Sequence, residues 1–217
     1  MNTERLEISR LFKPWDTVIE LADALPQDSW MLVGGLMTQA YAMLAGYSSR
    51  ATSDVDLLID LMASPSSISK VVRRLEHMGF SAKEPGIRGS AFHRMTRDDL
   101  VVDILVADHL PASRVRAARV NSWPVMEIPG GAQAISRKMN LVLIHEDGES
   151  VLQMPSLLGA LVLKAAAFCA DRRDRHRHLD DVALLSSLIE DHKGCISELH
   201  GSDFKTVSYT HLTLPTN

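Results

Sequence analysis

Two aspartates stand on one predicted strand, in the segment DVDLLIDL from Asp54 to Leu61. Because residues two apart in a strand point to the same side, Asp54 and Asp56 share one face, while the apolar residues between them can pack inward. Two carboxylates this close repel each other, and a hard divalent cation such as Mg²⁺ would stabilise both. The alternative is an edge strand with one solvated polar face, which Asp60 favours slightly because it has the same parity.

A third aspartate, Asp103, is the only charged residue in the apolar run LVVDILVA, Leu100 to Ala107. Such a run is typical of a strand covered on both faces, where an unpaired carboxylate is costly. If this strand lies beside the first one, three carboxylates meet at one point. They could then hold two metal ions roughly 3.5–4 Å apart, the arrangement used in phosphoryl transfer.

Two adjacent glycines, Gly34 and Gly35, stand where the apolar strand WMLVGG hands over to the predicted helix LMTQAYAMLAGY. Glycine lets the backbone approach a ligand closely, and the N–H groups at a helix start favour phosphate. Two glycines alone usually mark only a turn. Followed by Asp-x-Asp on the next strand and a lone strand aspartate, they predict a phosphate-binding corner beside a metal site.

The elements that must position these residues follow from the apolar spacing and the turn residues. We predict a helix over Glu4 to Leu25 with a break at Pro14, and a helix capped by Ser64 that Gly79 closes. An Asp-Asp turn should join the strands AFHRMTRDD and LVVDILVA, with further short strands over 122–152. Two helices, PSLLGALVLKAAAFCAD and LDDVALLSSLIEDH, should complete an α/β or α+β half followed by a helical part from about residue 153.

Bulk composition excludes several classes of protein. The 217 residues carry a net charge of −4, which gives no overall drive toward nucleic acid or anionic membranes. Two cysteines without a CxxC pair argue against a disulfide scaffold and a structural zinc site. The most apolar stretch, Leu157 to Ala170, is too short to span a bilayer and contains Lys164. We therefore expect a soluble, cytoplasmic protein.

The last eleven residues, VSYTHLTLPTN from Val207 to Asn217, break with the composition before them. They resemble the translation of a sequencing adapter read through from the end of a DNA fragment, and we leave them out of the fold prediction. On this interpretation the natural chain continues past about Thr206 in another way. A disordered or β-prone natural tail is the alternative.

The glycine pair, the Asp-x-Asp strand and the third strand carboxylate together resemble the nucleotidyltransferase superfamily, the fold of DNA polymerase beta. RATSDVDLLI, from Arg50 to Ile59, is similar to the R-x-T-x-D-x-D form of bacterial minimal nucleotidyltransferases and AbiEii-type toxins. The resemblance implies an α+β fold with a mixed sheet flanked by helices and followed by a C-terminal helical part. It also implies that the residues binding the nucleotide include Gly34, Gly35, Arg50, Thr52, Ser53 and Lys164.

The C-terminal half resembles the AbiEii-type pattern of a helical lysine, an arginine-rich turn and a D-x-x-D-like helix start. The matches fall at Lys164, at Arg172 or Arg173, and at Asp180 or Asp181, although HLDD departs from the expected Lys-Asp pair. Read from chemistry alone, Lys164 is either a lysine snorkelling over the core or a point charge on a triphosphate. The basic run DRRDRHRH is either a solvated loop or the rim of the same cleft.

The activity implied is a Mg²⁺-dependent nucleotidyltransferase that moves a nucleoside monophosphate from a nucleoside triphosphate to an acceptor hydroxyl and releases pyrophosphate. Asp54 and Asp56 would hold two Mg²⁺ ions, and Asp103 would bind the catalytic one and help to activate the hydroxyl. The AbiEii-type resemblance implies a toxin that modifies tRNA or a protein and has a cognate antitoxin. The alternatives are an adenylyltransferase of aminoglycoside-like small molecules and an inactive domain that binds a nucleotide or a partner.

The predicted organisation has three parts. Residues 1–152 form the catalytic domain with its N-terminal helix, residues 153–206 form a helical part that completes the cleft, and residues 207–217 are the adapter-derived tail.

Overall fold

The computed structural model describes residues 2–8, 13–86, 90–172, 174–201, 203–204 and 206–207. Leu11, Arg173 and residues 208–217 of the predicted tail lie outside the described residues. The strands, in chain order, are β1 (Thr3–Glu7), β2 (Trp30–Val33), β3 (Asp54–Ile59), β4 (Ser81–Ala82), β5 (Arg94–Arg97), β6 (Leu100–Ala107), β7 (Arg119–Val120), β8 (Trp123–Pro124), β9 (Met126–Ile128), β10 (Lys138–His145) and β11 (Gly148–Pro155). The helices are α1 (Trp15–Ala24), α2 (Gly34–Leu44), α3 (Ser67–His77), α4 (Ala112–Ala117), α5 (Gly131–Ser136), α6 (Leu157–Ala170), α7 (His176–Ser187) and α8 (His192–Ser197).

The main sheet has the strand order β2-β3-β6-β5-β4, with β9 added beside β6. Strands β3 and β6 run parallel, and so do β6 and β9, whereas the other neighbours in this sheet are antiparallel. A second sheet has the order β1-β10-β11, and β7 and β8 form a two-stranded ribbon. Mixed sheets flanked by helices confirm the predicted α+β fold class.

Both faces of the two central strands are covered, as the apolar run around Asp103 predicts. On β6, Val102 and Ile104 belong to the large hydrophobic core, and Leu105 on the opposite face belongs to a smaller apolar cluster. On β3, Leu57 and Leu58 divide between the same two clusters. The aspartates lie on the face of the smaller cluster, because they share strand parity with Leu58 and Leu105.

Helix α6 is buried on nearly every side, from Leu158 to Phe168, as expected for a helix without a polar face. Ser156 caps its N-terminus by accepting a hydrogen bond from the Gly159 N–H at 3.3 Å. The helix packs against α5, α7 and α2, so it joins the C-terminal helices to the glycine corner. None of the helices within the described parts of the chain has the length and apolar character that a bilayer crossing requires.

Three local predictions are wrong. Residues 4–7 form strand β1 and not the start of a helix, because they pair in parallel with β10 far along the chain. Helix α3 begins at Ser67, so its N-cap residue is Ser66, two residues after the predicted cap Ser64. The stretch 122–152, predicted to hold short strands, also contains helix α5 and the eight-residue strand β10, and the eight-residue strand β11 begins within it and ends at Pro155.

Arg97 fastens the hairpin of β5 and β6 to helix α1 and to the end of α3. Its guanidinium donates hydrogen bonds to both Glu20 carboxylate oxygens, at 2.9 and 2.6 Å, and to the Met78 carbonyl at 2.7 Å. It also lies over the Phe80 ring, 4.6 Å from the centroid. This pairing lowers the pKa of Glu20.

Replacing Arg97 by methionine should lower the free energy of unfolding by about 1 kcal/mol at pH 7, since solvent screens a carboxylate that is half exposed. The lowered pKa means that the Glu20 contribution is complete above its ordinary pKa of 4.5 and is lost as the pH falls through the folded-state value. Urea unfolding at pH 7 and at pH 3 should therefore show a smaller difference between the two proteins in acid. A difference that does not change with pH would contradict this role for the ion pair, and Glu20→Gln provides the matched variant.

Candidate active site

The register of β3 and β6 brings the three predicted carboxylates together. Asp56 lies directly opposite Asp103 in the parallel pair, and Asp54 stands two residues before Asp56 on the same face. All three line one cavity of about 910 Å³, which is within the size range of ligand sites. Asp103 is therefore on the same side of the sheet as the other two.

Arg94 on β5 is the immediate partner of this acidic cluster. Its Nε donates to Asp103 Oδ1 at 2.8 Å and its Nη2 donates to Asp103 Oδ2 at 2.7 Å, a bidentate fork. The same Nη2 also reaches Asp54 Oδ2 at 3.2 Å. The pairing raises the pKa of Arg94 above its ordinary value, so the guanidinium stays charged.

The glycine corner is shaped around Asp56. Gly34 begins α2 with a φ of +71°, and a Cβ built on it would stand 1.7 Å from Asp56 Oδ2. A Cβ on Gly35 would meet Thr52 Oγ1 at 2.8 Å, and the Gly35 N–H donates a hydrogen bond to Asp56. Both glycines are thus required by the close approach of β3 side chains to the start of α2.

Asp56 is the carboxylate with the least compensation. Burial first and the charge of Asp103 second raise its pKa, Lys164 opposes the shift, and the net result is a pKa of about 7. Between its ordinary pKa of 3.8 and about 7 the folded chain holds a proton that the unfolded chain lacks, so Asp56 makes the fold less stable as the pH rises. Within the described residues no side chain donates a hydrogen bond to Asp56, which leaves its oxygens facing the cavity.

Three cations, Arg50, Lys164 and Arg177, line the same cavity as the acidic cluster, and we call them the cationic wall. Lys164, on α6, pairs with Asp181, on α7, with 2.6 Å between Nζ and Oδ2, and both side chains are over nine-tenths buried. Arg50 approaches the same Asp181 oxygen at 3.8 Å and is 44% exposed. The two adjacent aspartates therefore differ: Asp181 is buried in this pair, whereas Asp180 is exposed.

The basic run that leads into α7 contributes two residues of the first turn of that helix to the cavity, Arg177 and His178. His178 Nε2 lies 3.2 Å from an Asp171 oxygen, and burial, aided by the charges of Lys164 and Arg177, lowers the pKa of the imidazole. Arg175 instead stacks on the Phe168 ring, 4.2 Å from its centroid.

The remaining predicted residues divide between the cavity and the surface. Arg50, Thr52, Ser53 and Lys164 line the cavity together with the glycines, but Arg172 and Asp180 are not among its lining residues in the described part of the chain. Asp60, which has the strand parity of the first two aspartates, accepts hydrogen bonds from the backbone of Met62 and Ala63 in the following turn.

Neither His93 nor Arg94 is predicted as a site residue from the sequence. The structure places both at the cavity. A signal for Arg94 was present in the Asp-Asp turn: a two-residue hairpin loop pairs 97 with 100, and counting back pairs Arg94 with Asp103, as observed. The turn residues alone are therefore enough to predict that Arg94 pairs with Asp103.

The fit of divalent cations to this donor set is partial. Carboxylate oxygens are the ligands that Mg²⁺ prefers, and those of Asp56 are free of side-chain donors in the described structure. Both oxygens of Asp103 already accept hydrogen bonds from Arg94. No group of three or more His, Cys, Asp or Glu side chains within the described residues is arranged to hold one metal ion.

Comparison with known proteins gives one distant match. Neither a protein-family model nor a curated protein matches this sequence. A solution structure of the antibiotic-resistance factor ANT(2'')-Ia, described as having substrate-regulated conformation dynamics, is similar with a TM-score of 0.45 and 12% identity. The match covers 91% of this chain and 89% of that chain. Similarity at this level says nothing about the reaction, which must be inferred from the site.

Replacing Gly34 by alanine should destabilise the protein by more than the cost of its left-handed backbone conformation. The new Cβ must displace the Asp56 carboxylate, in addition to the roughly 1–2 kcal/mol that a left-handed φ costs an L-residue. Gly46 is the matched control, because its φ of +74° is almost the same and a Cβ there meets nothing within 4 Å. Thermal unfolding of the two alanine variants should show a clearly larger loss for Gly34→Ala, and equal losses would contradict the close approach to Asp56.

Removing only Lys164 from its buried ion pair with Asp181 should lower the free energy of unfolding more than removing both residues. Lys164→Met leaves the buried Asp181 with only the partly exposed Arg50 at 3.8 Å, and we expect a loss of about 3 kcal/mol in the free energy of unfolding. The double variant Lys164→Met/Asp181→Leu should recover most of that loss. Asp180→Asn, an exposed neighbour, should change stability by no more than about 0.5 kcal/mol. Urea unfolding measures all three, and a Lys164→Met loss as small as that of Asp180→Asn would contradict the pair.

Proposed function

We propose that this protein is a Mg²⁺-dependent nucleotidyltransferase that moves a nucleoside monophosphate from a nucleoside triphosphate to an acceptor hydroxyl. The observation that carries the proposal is the convergence of Asp103, from β6, with Asp54 and Asp56, from β3, in a cavity that the cations Arg50, Lys164 and Arg177 also line. A domain without activity would gain nothing from the half-buried and poorly compensated carboxylate of Asp56, since that arrangement costs stability.

The charges of the cavity suit a triphosphate. Apart from the acidic cluster and its partner Arg94, the charged residues that line it are Arg50, Lys164 and Arg177. These cations would hold the phosphate oxygens of the nucleotide, and the first turn of α2 would add its N-terminal dipole. The apolar part of the lining, which includes Leu105 and Leu163, offers a surface for the base or the sugar.

The proposed reaction is an in-line attack by the acceptor oxygen on the α-phosphorus. A new oxygen–phosphorus bond forms, the bond to the β-phosphate oxygen breaks, and pyrophosphate leaves. Mg²⁺ held by Asp54 and Asp56 would supply the charge that neutralises the phosphates. Catalysis of this kind depends mainly on position and charge. The role of Asp103 as the base that takes the hydroxyl proton stays a prediction, because both of its oxygens accept hydrogen bonds from Arg94.

An RNA acceptor is favoured by a basic face outside the cavity, which we define as the exposed residues Lys70, Arg73, Arg74, Arg116 and Arg119. These residues lie on α3, on α4 and on β7, and α3 packs against β7. From His109 to Val125 the chain contains no acidic residue, although the whole chain carries a net charge of −4. Such a face attracts a polyanion and repels a cationic aminoglycoside.

A toxin role is a further proposal, and the proposed transferase activity does not depend on it. The Lys164–Asp181 pair is consistent with the AbiEii-type pattern, in which a helical lysine precedes an aspartate at the start of the next helix. On that basis we propose a toxin whose acceptor is tRNA. A protein acceptor, a cognate antitoxin, a cytoplasmic location and the division into domains at residues 152–153 and 206–207 stay predictions.

Asp56→Asn should lower nucleotide transfer by about 10²–10³-fold or more, because the amide cannot neutralise a cation. The measurement is Mg²⁺-dependent transfer from α-labelled nucleotides, supplied with total RNA, with protein or with aminoglycosides in separate reactions. We expect label in RNA, less of it as salt rises, and none without Mg²⁺.

Asp28→Asn, the same substitution at an exposed carboxylate outside the cavity, is the control and should transfer at the wild-type rate. Asp56→Asn should remain folded, with a thermal midpoint at or above that of the wild type at pH 8 without Mg²⁺, since it removes a buried charge. Undiminished transfer by folded Asp56→Asn would refute the mechanism. Label in aminoglycosides but not in RNA would overturn the choice of acceptor and leave the reaction class standing.

A further inference from the structure

We propose that Arg94 is a resident cation of the active site, so that the three aspartates take one divalent ion per chain and not two. The inference rests on the proposed function, because it concerns how that site neutralises its carboxylates. It assigns to Arg94 a positioning role, holding Asp103 and Asp54, that the sequence pattern does not suggest.

The first support is the geometry of the fork. Arg94 Nε and Nη2 each donate to a different oxygen of Asp103, at 2.8 and 2.7 Å, so the carboxylate is held along its whole edge. Nη2 then extends to Asp54 Oδ2 at 3.2 Å. A guanidinium in this position bridges the two carboxylates that one metal ion of a pair would have to share.

The second support is where the arginine is mounted. Arg94 and Asp103 are partners in the register of the β5–β6 hairpin, so the fork is set by the backbone and not by a flexible loop. The neighbouring Met95 is fully buried in the large core and holds β5 in place. The Arg94 side chain is 32% exposed and that of Asp103 is 10% exposed, so solvent screens this ion pair only partly. Moving Arg94 away would leave Asp103 buried and unpaired, which is expensive.

The third support is the balance of charge. Three carboxylates and one guanidinium leave a deficit of two positive charges at the cluster. One divalent ion removes that deficit, whereas two would leave a surplus beside a cationic wall whose Lys164 is already matched by Asp181. The oxygens open to that one ion belong to Asp56, which lacks side-chain donors among the described residues, and to Asp54, whose Oδ1 accepts only from the Ser53 hydroxyl at 2.9 Å.

The test counts ions and does not depend on turnover. Mn²⁺ is titrated into the full chain without any nucleotide, because a triphosphate would bind Mn²⁺ through its own phosphates, and the bound ion is counted by electron paramagnetic resonance. We expect one bound Mn²⁺ per chain in the wild type. In Arg94→Met the cluster loses its resident charge, and we expect the count to rise to two.

Two further variants control for charge and for folding. Arg94→Lys keeps the positive charge without the fork and should stay at one ion. Arg97→Met makes the methionine substitution on the same strand, at a residue paired with Glu20 outside the cavity, and should also stay at one ion. Circular dichroism confirms that each variant is folded before the count is made.

The outcomes separate this inference from the proposed function. Two ions of comparable affinity in the wild type would overturn the role of Arg94 and leave a Mg²⁺-dependent transferase intact. One ion in both the wild type and folded Arg94→Met, with unchanged affinity, would also overturn it. No bound Mn²⁺ in the wild type would overturn the inference and the metal-dependent function together. If Arg94→Met does not fold, the wild-type count alone decides.

Discussion

The parallel register of β3 and β6 places two like charges, the half-buried Asp56 and the buried Asp103, side by side, and the rest of the cavity is arranged around that repulsion. Asp103 receives a guanidinium, while Asp56 receives one backbone N–H and the more distant field of Lys164. The compensation is uneven: the Asp103 carboxylate is neutralised within the chain, whereas Asp56 is not, and this is the inequality on which the proposed metal site depends. A fold that only needed stability would place apolar residues at both positions.

Each cation of the site is held by an element different from the one that carries its carboxylate. Arg94 belongs to β5, and the Lys164–Asp181 pair ties α6 to α7 across the cavity from the sheet. The start of α2 supplies the third partner, where glycine permits a contact that any side chain would prevent. Sheet, glycine corner and C-terminal helices therefore have to be assembled together before the charges are balanced, which links the integrity of the site to that of the whole fold.

Much of this arrangement could be predicted because strand periodicity and turn chemistry are local. The shared face of Asp54 and Asp56, the covered strand around Asp103 and the Asp-Asp turn all follow from residues within ten positions of each other. Strand β1 could not be predicted, since its partner β10 lies more than a hundred residues away and its few residues also suit a helix. The choice of Asp181 over Asp180 likewise needed the packing of α6 against α7, because adjacent positions on a helix face different neighbours.

Strand β1 forms one edge of the three-stranded sheet β1-β10-β11, and all five of its residues pair with β10. The next residue, Ile8, extends this pairing with a hydrogen bond from its N–H to the Ile144 carbonyl at 2.9 Å. Its inward side chains Leu6 and Ile8 are buried. A shortened protein that begins at the first helix would therefore uncover the backbone of β10 as a long, unpaired border with an apolar flank. Such a border recruits strands from other molecules, so trimming this end of the chain would favour self-association.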